Sequence, residues 1–150
     1  MNPFPYQLVH NTDTILHEAV EGPVSEDLNR KDFSELLILS MNEYNGIGLS
    51  ANQVGIPVRA FAMKLRSRDI VCYNPVIKRV GEEKTTLLEG CLSYPGKEIE
   101  VTRPNSIRVG FEDEDGQKLD YQLTGLEAKV FQHELDHLNG ISFTSYAEEA

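Results

Sequence analysis

The sequence predicts an α+β fold, with mostly antiparallel sheets packed around a central helix near the C-terminus that carries a His-Glu-x-x-His motif. Three observations lead there. Short β-rich segments fill the middle of the chain, helix-period segments flank them on both sides, and no repeat, linker or low-complexity stretch divides the sequence. A chain of 150 residues, 40% of them hydrophobic, is long enough for one domain over residues 1–150 with a real core.

The first helix is expected from Lys31 or Asp32 to Asn45. Asp32 with Glu35 has the form of a cap, Phe33, Leu36, Leu37, Met41 and Tyr44 repeat at helical spacing, and Gly46 supplies a stop. Residues 46–55, Gly-Ile-Gly-Leu-Ser-Ala-Asn-Gln-Val-Gly, follow. Their small side chains permit tight turns and close backbone approach. The segment lacks the Gly-Lys-Ser/Thr ending of a phosphate loop and follows a helix, so on its residues alone it reads as a structural turn.

Strands are expected over residues 56–63 and 69–78, the second broken by Pro75, with a polar turn at 64–68. Further short strands fall at 85–88, 101–103, 107–111 and 119–123, and residues 112–116 form a hairpin turn. Between them, residues 89–96 set Cys91 on a bend punctuated by Pro95 and Gly96, where its sulfur can point inward. The last helix is framed by Thr124 with Glu127, a capping-box pattern, and by Gly140 as its stop. Along it Leu126, Val130, His133 and His137 form one stripe, so an apolar face becomes a ligand-bearing face.

Composition narrows the function. A formal net charge of −10 argues against general binding to nucleic acid or anionic membranes, and no apolar run is long enough to span a bilayer. Residues 1–6 lack the basic region and apolar run of a secretory signal, so a cytoplasmic protein with reduced thiols is expected. Cys72, in a strand-like run, reads as a small buried apolar residue.

The chemistry concentrates in the last helix. Residues four apart share a face, so His133 and His137 can offer two imidazoles to one metal ion with Glu134 beside them. The motif alone also arises by chance on exposed helices, and a third ligand is needed. Phe143 stands where one zinc-protease pattern places its third histidine, and Glu148 and Glu149 lie close behind the Gly140 turn, so that ligand is expected upstream. Cys91 can supply it. A Cys-His-His set leaves a fourth position for water, whose proton Glu134 can take. A zinc endopeptidase and a non-catalytic metal-binding protein are the rival classes.

Three stretches together, residues 46–53, 89–93 and 132–137, resemble the three motifs of peptide deformylases, in the same order and over nearly the whole chain. Ser93-Tyr94-Pro95-Gly96 and Val101-Thr102-Arg103-Pro104 are similar to the plastid and cyanobacterial branch. The resemblance implies removal of the formyl group from the formyl-methionine of nascent polypeptides, with transient proximity to the ribosome. It implies that Cys91, His133 and His137 hold one divalent metal, iron(II) in the cell with zinc or nickel as substitutes. Glu134 would then be the general base, while the Gln53 side chain and the Leu92 backbone N–H meet the oxyanion. Ile47 and Gly48 would bind the peptide, with Phe131 or Val130 as another wall of the methionine pocket. Glu89 with Arg103 would brace the cysteine turn, and Gln132 and Asp136 would orient the ligands. Two departures stand out. Ser50 occupies a place where the family usually has alanine, and its hydroxyl must bond locally or cost stability. The sequence ends at Ala150 behind acidic Glu148-Glu149, without the basic C-terminal helix of many bacterial members, as in short phage-carried versions, so ribosome docking by such a tail is not expected.

Overall fold

Alternation along the central strands decides how the layers stack. In strand β2 (Ala60–Lys64), Phe61 and Met63 face one way while Ala60 and Ala62 face the other. In β3 (Asp69–Val80), Cys72 goes with Phe61, whereas Val71 and Tyr73 go with the alanines. Each side of the sheet therefore has its own apolar cluster. Helix α1 (Arg30–Glu43) covers one through Phe33, Leu37 and Met41, and helix α2 (Gly125–Leu138) covers the other through Ala128, Val130, Phe131 and Leu138. The computed structural model describes residues 5–147, and the expectation about Glu148 and Glu149 lies outside the described residues.

With β1 (Gly48–Ser50), β6 (Ser106–Glu112) and β7 (Lys118–Thr124), the large sheet runs β1-β2-β3-β6-β7, all antiparallel. Strands β4 (Lys84–Cys91) and β5 (Tyr94–Pro104) form a separate two-stranded hairpin. Among the described residues, no helix is long and apolar enough to cross a membrane.

Several boundaries move from their expected places, each for a local reason. Helix α1 starts at Arg30 because the Asn29 side chain, not Asp32, caps it, accepting from the Asp32 N–H at 3.1 Å. It ends at Glu43, short of the expected Asn45, with Tyr44 as its C-cap, and Asn45 rather than Gly46 takes the left-handed conformation, at φ 58°. Gly46 is needed for space instead, because a Cβ there would meet Leu92 Cδ1 at 2.7 Å. Part of the glycine segment is the edge strand β1, followed by a 3-10 turn at Ala51–Val54. Pro75 does not end β3. The pairing with β6 skips between Tyr73 and Val76, where Asn74 has φ 51°, and this irregularity accommodates the missing N–H. The hairpin is far longer than two short strands because Pro95 and Gly96 sit within β5, which pairs with only one neighbour. At α2 the capping box does not form. Thr124 makes no side-chain cap, and Glu127 instead accepts from the Arg66 N–H at 3.2 Å. Gly140 does close the helix at φ 75°, with the backbone of Glu18 and Ala19 packed where its Cβ would lie.

Candidate metal centre and cleft

One turn of helix separates His133 from His137, and the helix buries both against the sheet, at 8% and 2% exposure. Their Nε2 atoms lie 3.1 Å apart. Cys91, the last residue of β4, comes from the hairpin. The pairing shifts between Gly90 and Cys91, an irregularity of the kind that re-aims a side chain, and the sulfur lies 3.3 Å from His137 Nε2. Ligand atoms of all three residues fall within 4.8 Å of one another. A thiol and two imidazoles converging in a half-buried recess fit a divalent metal with an open coordination position.

The orientation of the histidine on the hairpin side is set by a carboxylate. Glu89 Oε1 pairs with His133 Nδ1 at 2.9 Å, which leaves Nε2 to face the sulfur. The same carboxylate accepts twice from Arg103, at 2.7 and 3.0 Å. Arg103, only 3% exposed, also donates to Asp136 Oδ2 at 2.8 Å, and the Tyr146 hydroxyl donates to that oxygen at 2.7 Å. Burial favours the neutral form of Glu89, but its bonds with His133 and Arg103 outweigh this and hold its pKa at about 2. Burial likewise opposes charge on His133, yet contacts with Cys91 and Glu89 lift it to about 10, while burial and the neighbouring His133 drive His137 down.

Glu134 faces the cleft from the other side. Its Oε2 rests where a Cβ of Gly48 would be, 2.6 Å away, so only glycine leaves room for the carboxylate. Its Oε1 is buried without a hydrogen-bond partner. Burial is the main cause that pushes its pKa up to about 7, with Glu89 adding to the shift and His133 opposing it. Such a group can accept and return a proton near neutrality. Gln53 completes the arrangement. Its Oε1 accepts from the Ser50 N–H at 2.9 Å and the Ser50 hydroxyl at 3.0 Å, and its Nε2 donates to Ser93 Oγ at 3.0 Å with Cys91 Sγ at 3.6 Å.

A cleft of about 670 Å³ runs between the edge of β1 and the β4–β5 hairpin. Gly46, Ile47 and Gly48 line one side, Leu87 and Leu88 the other, and Leu92 and Val130 lie nearer the donor cluster. Ile47 is half exposed there, as a pocket-lining residue must be. Phe131 does not reach the cleft. It is fully buried and meets Phe61 edge-on at 5.0 Å, because one residue along a helix turns the side chain by about 100° and hands the wall to Val130. Leu126, expected on the buried stripe, is 58% exposed at the cleft's outer lip. Gln132 touches no ligand. It donates to the Pro104 and Ala128 carbonyls at 3.0 Å and ties α2 to β5. Asp136 acts on Arg103, not on a histidine. Sequence reasoning missed Ser93 and Tyr146, since nothing in their spacing marks a hydroxyl that will meet a residue 40 positions away or one ten positions back across the turn that ends α2.

Comparison with known proteins agrees with this geometry. A family profile described as Polypeptide deformylase matches residues 5–150. The peptide deformylase of the cyanobacterium Thermosynechococcus vestitus is 36% identical over 152 aligned positions, covering 98% of this chain and 80% of that protein. The crystal structure of peptide deformylase from Thermotoga maritima superposes with a TM-score of 0.91 at 35% identity, covering 96% of this chain and 98% of that one. One from a Vibrio parahaemolyticus bacteriophage, solved in complex with actinonin, gives 0.85 at 33% identity over 91% and 99%. The converging Cys-His-His donors, the buried carboxylate beside them and these matches place the chain in the polypeptide deformylase family.

Proposed function

We propose that residues 1–150 form one catalytic domain that hydrolyses the formyl group from the N-terminal formyl-methionine of nascent polypeptides, with the site residues in the following roles. The observation that carries the reading is the placement of a buried, unpartnered carboxylate oxygen of Glu134 beside the convergent donors Cys91, His133 and His137. Those three residues would hold one divalent cation, Fe(II) as the native ion with Zn(II) or Ni(II) able to substitute, a choice compatible with one thiolate and two imidazoles. When bound, such an ion supplies Lewis acidity and a water of lowered pKa.

The chain's own groups do the rest. Glu134 takes a proton from the attacking water as its oxygen bonds to the formyl carbon. Negative charge then develops on the formyl oxygen, where the Gln53 Nε2–H and the Leu92 backbone N–H donate. As the C–N bond breaks, Glu134 returns its proton to the leaving nitrogen, and formate and a free amine depart. Ile47 and Gly48, on the free edge of β1, pair with the peptide, and Val130 rather than Phe131 walls the methionine side chain. The expected place of work is the cytoplasm, close to the ribosome from which formylated chains emerge.

The test is formate release from a formyl-Met-Ala-Ser peptide by Fe(II)-loaded protein handled without oxygen. Glu134→Gln should lower the rate by about 10³-fold, since a positioned base is worth roughly 10²–10⁴. A loaded, folded parent that releases no formate would overturn the reading. Endopeptidase cleavage of the same peptide would favour the protease class instead.

A further inference from the structure

We propose that the Ser50 hydroxyl is a positioning group for the reaction, holding the Gln53 amide so that its N–H donor points at the cleft. The inference rests on the reading of Gln53 as an oxyanion donor. Gln53 is 1% exposed and Ser50 fully buried, so no solvent competes for the contacts between them. Gln53 Oε1 has two lone pairs, and Ser50 fills both, one through its backbone N–H at 2.9 Å and one through its hydroxyl at 3.0 Å.

Each contact has a different effect. The backbone N–H decides which end of the amide is oxygen, because a flipped amide would set donor against donor. The hydroxyl supplies the second in-plane donor and so fixes rotation of the amide about its last bond. Opposite, Ser93 Oγ takes one Nε2 hydrogen at 3.0 Å, and the other is left for the side of Cys91 Sγ, 3.6 Å away. An amide whose oxygen accepts two hydrogen bonds is also polarised, which strengthens its N–H as a donor. The hydroxyl at position 50 is therefore aligned with the charge that appears on the formyl oxygen, at a distance of one residue from it. Among the described residues the Ser50 hydroxyl donates to Gln53 and to none of Cys91, His133, His137 or Glu134, so the hydroxyl acts through Gln53, whereas the Ser50 backbone also lies against Glu134.

The test is a double-mutant cycle on the Fe(II)-loaded enzyme with Ser50→Ala, Gln53→Ala and the pair, measured as kcat and KM separately. Ser50→Ala should lower kcat about three- to tenfold, the worth of one hydrogen bond, with KM and metal content unchanged. In the Gln53→Ala background the same substitution should change kcat by less than about twofold. Selective labelling of Gln53 should show its side-chain amide protons shifting in Ser50→Ala. Independent, multiplicative losses in the cycle would show that Ser50 acts on packing and overturn the proposal, as would an unchanged kcat and amide signal in Ser50→Ala. A Gln53→Ala enzyme with full kcat would instead overturn the role of Gln53 itself.

Discussion

The donor set is contributed by two regions of opposite character. Helix α2 brings His133, Glu134 and His137 on an element whose other face is packed into the sheet through Ala128, Phe131 and Leu138. The β4–β5 hairpin brings Glu89, Cys91 and Leu92 on strands that are mostly exposed and whose only buried side chains in β5 are Val101 and Arg103. The helix is thus held by burial of apolar surface, and the hairpin's contribution is held by charge, through Arg103 to Glu89 and Asp136. A site can be made rigid by either means, but the two should fail differently.

Arg103→Met should give the largest failure. It leaves the Glu89 carboxylate with His133 as its one remaining partner at 10% side-chain exposure, and breaking one partner of a buried pair costs about 3–5 kcal/mol. Chemical denaturation should record that loss, and a chelator should strip metal from the variant faster than from the parent. If both stay unchanged, the hairpin is not held by charge. Phe131→Ala removes a fully buried ring from the helix side and should cost a similar 3–5 kcal/mol. Here KM for the formylated peptide should hold, whereas Val130→Ala should raise it. A raised KM in Phe131→Ala would return that residue to the cleft.

Glu134 sharpens the contrast through pH. The folded metal-free protein keeps its proton up to about 7, while the unfolded chain releases it near the ordinary 4.5. Its contribution to stability is therefore fully present below pH 4.5 and is lost as pH rises through 7, on the order of 3 kcal/mol in all. Metal-free Glu134→Gln should exceed the parent in stability at pH 8 and match it at pH 4, read from urea midpoints at both. The smallest effect belongs to the hairpin surface. Leu88 is 59% exposed, and Leu88→Ser should move stability by no more than about 0.5 kcal/mol, as a thermal melt will record.

The same contrast governs what was legible in the sequence. The helix motif, the upstream cysteine and the short alternating strands of β6 and β7 could be read because each is a local pattern with one physical meaning. The hairpin could not be read at full length, since Pro95 and Gly96 signal a loop and only its pairing with a single neighbour makes them tolerable. Phe131 and Val130 are adjacent apolar residues on one helix, and which of them faces the cleft depends on a rotation that spacing leaves open. Gly48 looked like turn material because the carboxylate filling its missing Cβ lies 86 positions further on. The function of the Ser50 hydroxyl was equally hidden, although its need for a local partner was evident.

The order of elements along the chain also sets a timetable. The apolar face of the sheet made by Phe61, Met63, Cys72, Ile107 and Val109 is covered by α2, which is synthesised after every strand. During vectorial synthesis that face stays open until residues 125–138 have left the exit tunnel, and the second histidine arrives with the final turn of the covering helix. Contacts of such long sequence separation form late and slowly. Core closure and completion of the donor set are consequently a single event in the life of a new molecule, so a chain stalled before His137 exposes a hydrophobic sheet and cannot yet be an enzyme.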